Sequence, residues 1–398
     1  MNRLLSFIIF LTVFFALYGS LHFYFYWKLK NAIELTPICN VLIIIALCFL
    51  ALSPVLMYAL THTGVSLWTR ILAYVGFVWM GALFMFFWMN LVIDAYRGAI
   101  HILSRFVGPG SLKFIPGDGI TLIFTLMIVT GMIIYGRFEA DNIAVRRVVL
   151  KSSKLPPSVE DLRIVQISDI HFSTLNGKAF AQKIGRMIEE LHPDILVSTG
   201  DLIDIGLDDP DGVVAVFRNI ETRYGKFAIT GNHEFISGIE EAVKFTEQAG
   251  FQMLRNKQIR INKFLSIAGV DDPAAKRYGI VSGVSMDEVL RPHSPGSINI
   301  FLRHRPQVDK ESIGKVDLQL SGHTHNGQIF PFTLITSLFY PYHTGLFEVG
   351  PNSYLYVTRG TGTWGPPLRF LTFPEIVVID VRRDELKLAT DSEKRSER

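Results

Sequence analysis

The chain has 398 residues, 49% of them hydrophobic and 12% aromatic, with 39 basic and 36 acidic side chains for a net charge of +3. It is too apolar for a purely soluble enzyme and too charged downstream for a protein that is all membrane, so two regions in different solvents are expected. The near balance of charge gives no electrostatic reason to expect a nucleic-acid partner, and Cys39 and Cys48, inside an apolar run without Cys-x-x-Cys spacing, announce neither a disulfide framework nor a zinc ribbon.

Residues 4–27 are almost uninterrupted Leu, Ile, Phe, Val and Tyr, long enough to cross a ~30 Å hydrocarbon layer as a helix and longer than a signal-peptide core. Further spans are expected over 39–58, 72–93 and 120–135, which makes a four-helix anchor region over 1–136 and puts both ends of it on one side of a cell membrane. The basic flanks nearly cancel: Arg3, Arg70, Arg137, Arg146 and Arg147 face one side, and Lys28, Lys30, Arg97, Arg105 and Lys113 the other. The carboxyl half is expected on the cytoplasmic side. Asp94 falls at the end of a span, where a charge costs little, and 96–119 reads as a solvated or interfacial loop. With no intramembrane charge pair, the region looks like an anchor and not an ion path.

Composition shifts near Arg137. Residues 137–160 read as a linker and entry strand, 161–385 as one α/β domain, and 386–398 as a disordered charged tail. Strands are predicted at 162–167, 195–199, 227–230, 298–302 and 318–320, with helices through Phe180, Ile184, Met187 and Leu191 and over 239–248.

Five polar clusters follow those strands: Asp169-Ile170-His171, Gly200-Asp201 with Asp204, Gly231-Asn232-His233-Glu234, His304, and Gly322-His323-Thr324-His325. Loops at the carboxyl ends of parallel strands gather on one rim, so these side chains can converge. The pairs Asp169/His171 and His323/His325 are two residues apart, and on extended backbone that spacing puts both donors on one face. A single such histidine is more often a satisfied core residue than a ligand; five clusters in this order are not. Carboxylate and imidazole donors without thiolates suit manganese, iron or zinc, and seven of them exceed what one ion needs.

In this order the motifs resemble the calcineurin-like metallophosphoesterase superfamily, over about 163–381. Gly322 to Gln328, Arg359 to Gly362, Pro367 to Arg369 and Pro374-Glu375 are similar to a membrane-associated bacterial branch of the YkuE and YaeI type. The resemblance implies a two-sheet β-sandwich flanked by helices. It also implies two divalent ions, the first on Asp169, His171 and His325, the second on Asn232, His304 and His323, with Asp201 bridging them. The implied nucleophile is a hydroxide held between the ions. His233 would protonate the leaving oxygen and Asp204 would orient it. Relatives that cleave the pyrophosphate of UDP-diacylglucosamine suggest, by analogy, a lipid-linked phosphate ester; a soluble nucleotide phosphodiester is the alternative substrate, and a non-catalytic receptor or scaffold the alternative class. Glu234 reads as a supporting carboxylate, Arg359 and Arg369 as either phosphate contacts or structural ion pairs, and His293 and His343 as loop histidines. No phosphate-cradling Gly-x-x-x-x-Gly-Lys loop is present.

Overall fold

The computed structural model describes residues 3–61, 64, 66–291 and 296–384. His293 and the expected tail 386–398 lie outside the described residues. The chain divides into two compact units, Met1–Glu139 with Gly365–Phe370, and Ala140–Trp364 with Leu371–Arg398.

The first unit is built from four helices, α1 (Arg3–Ala32), α2 (Pro37–Thr61), α3 (Leu67–Val107) and α4 (Asp118–Asp141). Among the described residues three segments are long and apolar enough to cross a membrane: Pro37–Thr61, Leu67–Val107 and Pro109–Asp141. The expectation of four is corrected to three. A helix, α1, does occupy the first expected span, and the side chains of residues 4, 6, 7 and 10 in it lie outside the described residues. The inference that both ends of the region lie on one side falls with the fourth span.

One further expectation changes. Residues 96–107 are not a loop, because α3 continues through them for 41 residues and ends only where Gly108 (φ +97°) precedes Pro109. At 1.5 Å per residue that is about 60 Å, twice the hydrocarbon thickness. Asp94 therefore lies inside the helix, where it pairs with Lys28 and accepts a hydrogen bond from Tyr24 Oη at 2.6 Å. Within the same unit Arg369 is fully buried, and its backbone N–H donates to Gly136 O at 2.9 Å.

Among the described residues the second unit holds twelve strands: β1 (Ala144–Ser152), β2 (Asp161–Ile167), β3 (Ile195–Ser198), β4 (Lys226–Ala228), β5 (Gln252–Met253), β6 (Lys257–Arg260), β7 (Leu265–Gly269), β8 (Ile298–Leu302), β9 (Leu318–Ser321), β10 (Gly345–Gly350), β11 (Ser353–Val357) and β12 (Glu375–Arg383). They form two six-stranded sheets, ordered β1-β12-β2-β3-β4-β5 and β10-β11-β9-β8-β7-β6. In the first, β2 to β5 run parallel and β12 enters antiparallel to β2. In the second, β7, β8, β9 and β11 are parallel.

Alternate residues of the first sheet point to different layers, as the period of a strand requires. Val165, Ile167, Leu196 and Ile376 pack against Ile184 and Ile188 of α5 (Lys178–Glu190), Phe217 of α6 (Pro210–Arg218) and Phe245 of α8 (Ile239–Gln248), with the short α7 (His233–Ser237) between the last two. Ile164, Ile195, Val197 and Val377 pack inward against Ile267, Ile300, Leu302 and Leu320 of the second sheet. Each such fully buried side chain stabilises by roughly 1.5–3 kcal/mol relative to exposure. The result is a sandwich whose parallel strands all release their loops at one rim.

Candidate metal centre

The loops at that rim leave regular structure immediately. Asp169, His171, Asp201, His323 and His325 all have positive φ, between 47° and 73°. Non-glycine residues adopt this left-handed conformation seldom and at a cost of order 1–3 kcal/mol, and runs of it mark functional loops. The extended-strand reasoning for Asp169/His171 and His323/His325 is therefore corrected: β2 and β9 end before these pairs, and left-handed turns aim each side chain.

Glycines allow the loops to approach. A Cβ on Gly231 would lie 2.2 Å from Asp201 Oδ1, and one on Gly322 would lie 2.2 Å from Asp169 Oδ2. Glu234, almost fully buried, ties the β3 and β4 loops together by accepting from the N–H groups of Gly231 (2.6 Å), Leu202 (2.7 Å) and Asp201 (3.0 Å). The same Asp201 accepts from His233 N–H at 2.8 Å through Oδ1, which leaves Oδ2 facing inward. Opposite, Asp169 accepts from His323 N–H at 3.0 Å, and the backbone N–H groups of Thr361 and Gly362 hold the carbonyls of Ser168 and Asp169.

Among the described residues three groups of donors converge closely enough to share an ion: Asp169, His171 and His325; His171, Asp201 and His233; and Asp201, His304 and His323. Ring nitrogens face each other. His171 Nε2 and His325 Nε2 are 3.1 Å apart, as are His323 Nδ1 and His304 Nε2. His304 Nε2 lies 3.2 Å from Asp201 Oδ2 and His171 Nε2 3.9 Å from it, so this one oxygen faces both histidines. Asn232 Oδ1 is buried with no hydrogen-bond partner. An orphaned acceptor of that kind costs free energy unless something satisfies it, and a cation would. Donor chemistry, spacing and the orphaned amide oxygen all fit divalent metal.

Electrostatics follow from crowding. Burial pushes the Asp169 carboxyl up from its ordinary value. Burial works the same way on Asp201, but the charges of His304 and His233 outweigh it and hold that carboxyl well below the carboxylate range. His304 loses by burial and gains more from Asp201, ending at about 10, while burial and the neighbouring His304 charge push His323 down to about 3. Glu234 is pushed up to about 7 by burial and by Asp201. A cation would take the place of the proton that His304 shares with Asp201.

His233 is set apart by its partner. Its Nδ1 is 2.5 Å from Asp204 Oδ1, while the other oxygen of Asp204 reaches His171 Nδ1 at 3.1 Å. Burial lowers the His233 pKa, but the charges of Asp204 and Asp201 more than offset it and raise it to about 9. The two imidazoles in turn hold Asp204 far below its usual value, against burial.

Two residues near the rim, Trp364 and Tyr340, carry no sequence signal. Trp364 lies edge-on to His233 with ring centroids 5.6 Å apart, and Gln328 clamps the Trp364 backbone from both sides at 2.9 Å. Tyr340 Oη is 2.9 Å from His323 Nε2. Arg359 stacks over the Phe373 ring and donates to Thr344. Of the weaker candidates, Glu234 is the backbone tie already described, and the fully buried Arg369 is shielded from a phosphate arriving through solvent.

Residues 162–327 match the family model described as calcineurin-like phosphoesterase. An uncharacterized metallophosphoesterase of Aquifex aeolicus is 35% identical over 250 residues, covering 62% of this chain and 95% of the relative. The uncharacterized metallophosphoesterase YkuE of Bacillus subtilis is 32% identical over 62% of this chain and 89% of its own. A transmembrane protein with metallophosphoesterase domain from Bos taurus is 30% identical over 319 residues, 76% of this chain and 72% of that one. With the donor-lined rim and these relatives together, the chain belongs to the calcineurin-like metallophosphoesterase family.

Proposed function

We propose that the chain is a membrane-anchored, dinuclear metal-dependent phosphohydrolase that cleaves a phosphodiester or pyrophosphate bond of a lipid-linked substrate. The observation that carries the dinuclear reading is the position of Asp201 in two of the three donor groups, with its Oδ2 toward both His171 and His304. Asp169, His171 and His325 would hold one cation, Asn232, His304 and His323 the other, and Asp201 both. Bound there, two divalent cations, manganese, iron or zinc, supply charge against the phosphate oxygens and lower the pKa of water.

The chain's own residues do the rest. His233 is held by Asp204 through Nδ1, which leaves Nε2 to donate a proton to the leaving oxygen. Its raised pKa keeps that proton present at neutral pH. Glu234 fixes the loops that carry Asp201, Asn232 and His233 and touches no substrate.

Support for a lipid-linked substrate comes from α9 (Phe332–Phe339), next to the rim. Leu338 and Phe339 are 82% and 76% exposed, with Leu334 also open, and the following residue, Tyr340, reaches His323. Exposed apolar side chains clustered on one helix suit acyl chains better than a nucleoside. Full-length protein in nanodiscs with Mn²⁺ should hydrolyse a lipid-linked pyrophosphate such as UDP-diacylglucosamine with higher kcat/KM than a soluble nucleotide or aryl phosphodiester. Preference for the soluble compounds under those conditions would defeat the lipid assignment.

A further inference from the structure

Each metal-facing imidazole must present a lone pair on one nitrogen and a hydrogen on the other, and the second nitrogen's partner decides which. For His304 the partner is Thr199 O, 2.8 Å from Nδ1. A carbonyl only accepts, so Nδ1 carries the hydrogen and Nε2 is the coordinating atom. For His171 the Asp204 carboxylate at Nδ1 makes the same choice. His323 is oriented the other way round. Its Nδ1 is the atom turned toward the other donors, 3.1 Å from His304 Nε2, and its Nε2 points to Tyr340 Oη at 2.9 Å.

We propose that Tyr340 is a positioning residue for the His323 half of the centre, accepting the Nε2 hydrogen so that the Nδ1 lone pair faces the cation. The assignment rests on the dinuclear reading given above. Tyr340 belongs to none of the sequence motifs, and it is placed by a loop lashed to the histidine loop at a second point. Thr324 Oγ1 donates to His343 O at 2.7 Å, and Thr344 Oγ1 accepts from Arg359 Nε at 3.2 Å. That bracing matters because His323 is held at φ +73°, a conformation its own backbone does not favour. The ring thus has its backbone fixed by one loop and its tautomer by another.

Chelator-stripped full-length protein, titrated with Mn²⁺ by calorimetry and by the loss of the free Mn²⁺ spin-resonance signal, tests this. Wild type should bind two cations. Tyr340→Phe should weaken one of them by about 10- to 100-fold, the range for losing a ligand's hydrogen-bond partner, and leave the other unchanged. Tyr342→Phe, on the same loop, should behave as wild type. Excess Mn²⁺ should restore turnover in Tyr340→Phe, which it could not do for a lost proton donor. If Tyr340→Phe also melts lower in chelator, Tyr340→Gln, which keeps an accepting oxygen, should recover the weakened site; failure to recover it overturns the proposal. Two wild-type-strength sites in Tyr340→Phe would overturn it while leaving the dinuclear reading intact. A wild type that binds one cation would bring down both.

Discussion

In the helical unit the ammonium of Lys28 is buried against Asp94, which also takes the hydroxyl of Tyr24, and Trp79 Nε1 donates to His22 at 2.9 Å. At the rim of the other unit, imidazole nitrogens face imidazole nitrogens at 3.1 Å, and an amide oxygen is buried without a donor. Both regions bury polar groups, and in these contacts of the first each donor meets an acceptor. A matched pair closes on itself and holds helices in register. A crowd of acceptors pointing at one place is stable only when something positive arrives, and that mismatch distinguishes a site from a brace.

The contrast can be broken most sharply at its two carboxylates. Asp201→Asn should lower kcat/KM by about 10³-fold or more and cut cation content, by elemental analysis of the purified protein. Asp94→Asn should leave kcat/KM within about twofold and reduce the melting temperature, because it strands a buried ammonium. Equal loss of turnover in the two variants would erase the distinction. His233→Ala comes next, with a fall of about 10²- to 10³-fold in kcat at unchanged cation content, which separates proton donation from metal holding.

A smaller effect sharpens the role of Asp204. The His233 proton is held by a pKa raised to about 9, so activity that depends on it should be complete at neutral pH and fall as pH rises through about 9. Asp204→Asn removes the largest raising charge, and the alkaline limb of the kcat profile should move down by roughly one to two pH units. The ion pair's contribution to stability has the same sign: it is full below the ordinary imidazole pKa of about 6.5 and is lost as pH climbs through about 9. The smallest effect is expected from Leu338→Ser with Phe339→Ser, about three- to tenfold on a vesicle-borne substrate and none on a soluble one.

Much of the catalytic unit was legible because its parallel strands are buried on both faces and so appear as short apolar runs ending in Gly, Asp, Asn or His. That punctuation offered five polar clusters, and the family resemblance implied Asp169, His171, Asp201, Asn232, His304, His323 and His325 within them. Their aim could not be read there, since left-handed backbone at aspartate and histidine goes against local preference and is imposed by neighbouring loops. Tyr340 and Trp364 were silent for another reason: each reaches the rim through a contact with a distant loop that leaves no periodic trace. In the helical unit, apolar length gave the three spans found among the described residues, but the match between Lys28 and Asp94 needed three dimensions.

The position of β12 between β1 and β2 has a consequence for biosynthesis. The strand that follows α4 has no neighbour in its sheet except one encoded more than two hundred residues later. Until Glu375–Arg383 leaves the ribosome, β1 can only wait with its hydrogen-bonding edges open, exposed to wrong pairing. Closure of the first sheet is thus deferred to the arrival of β12, and a message cut short before that point yields the apolar helices followed by an unfinished sheet.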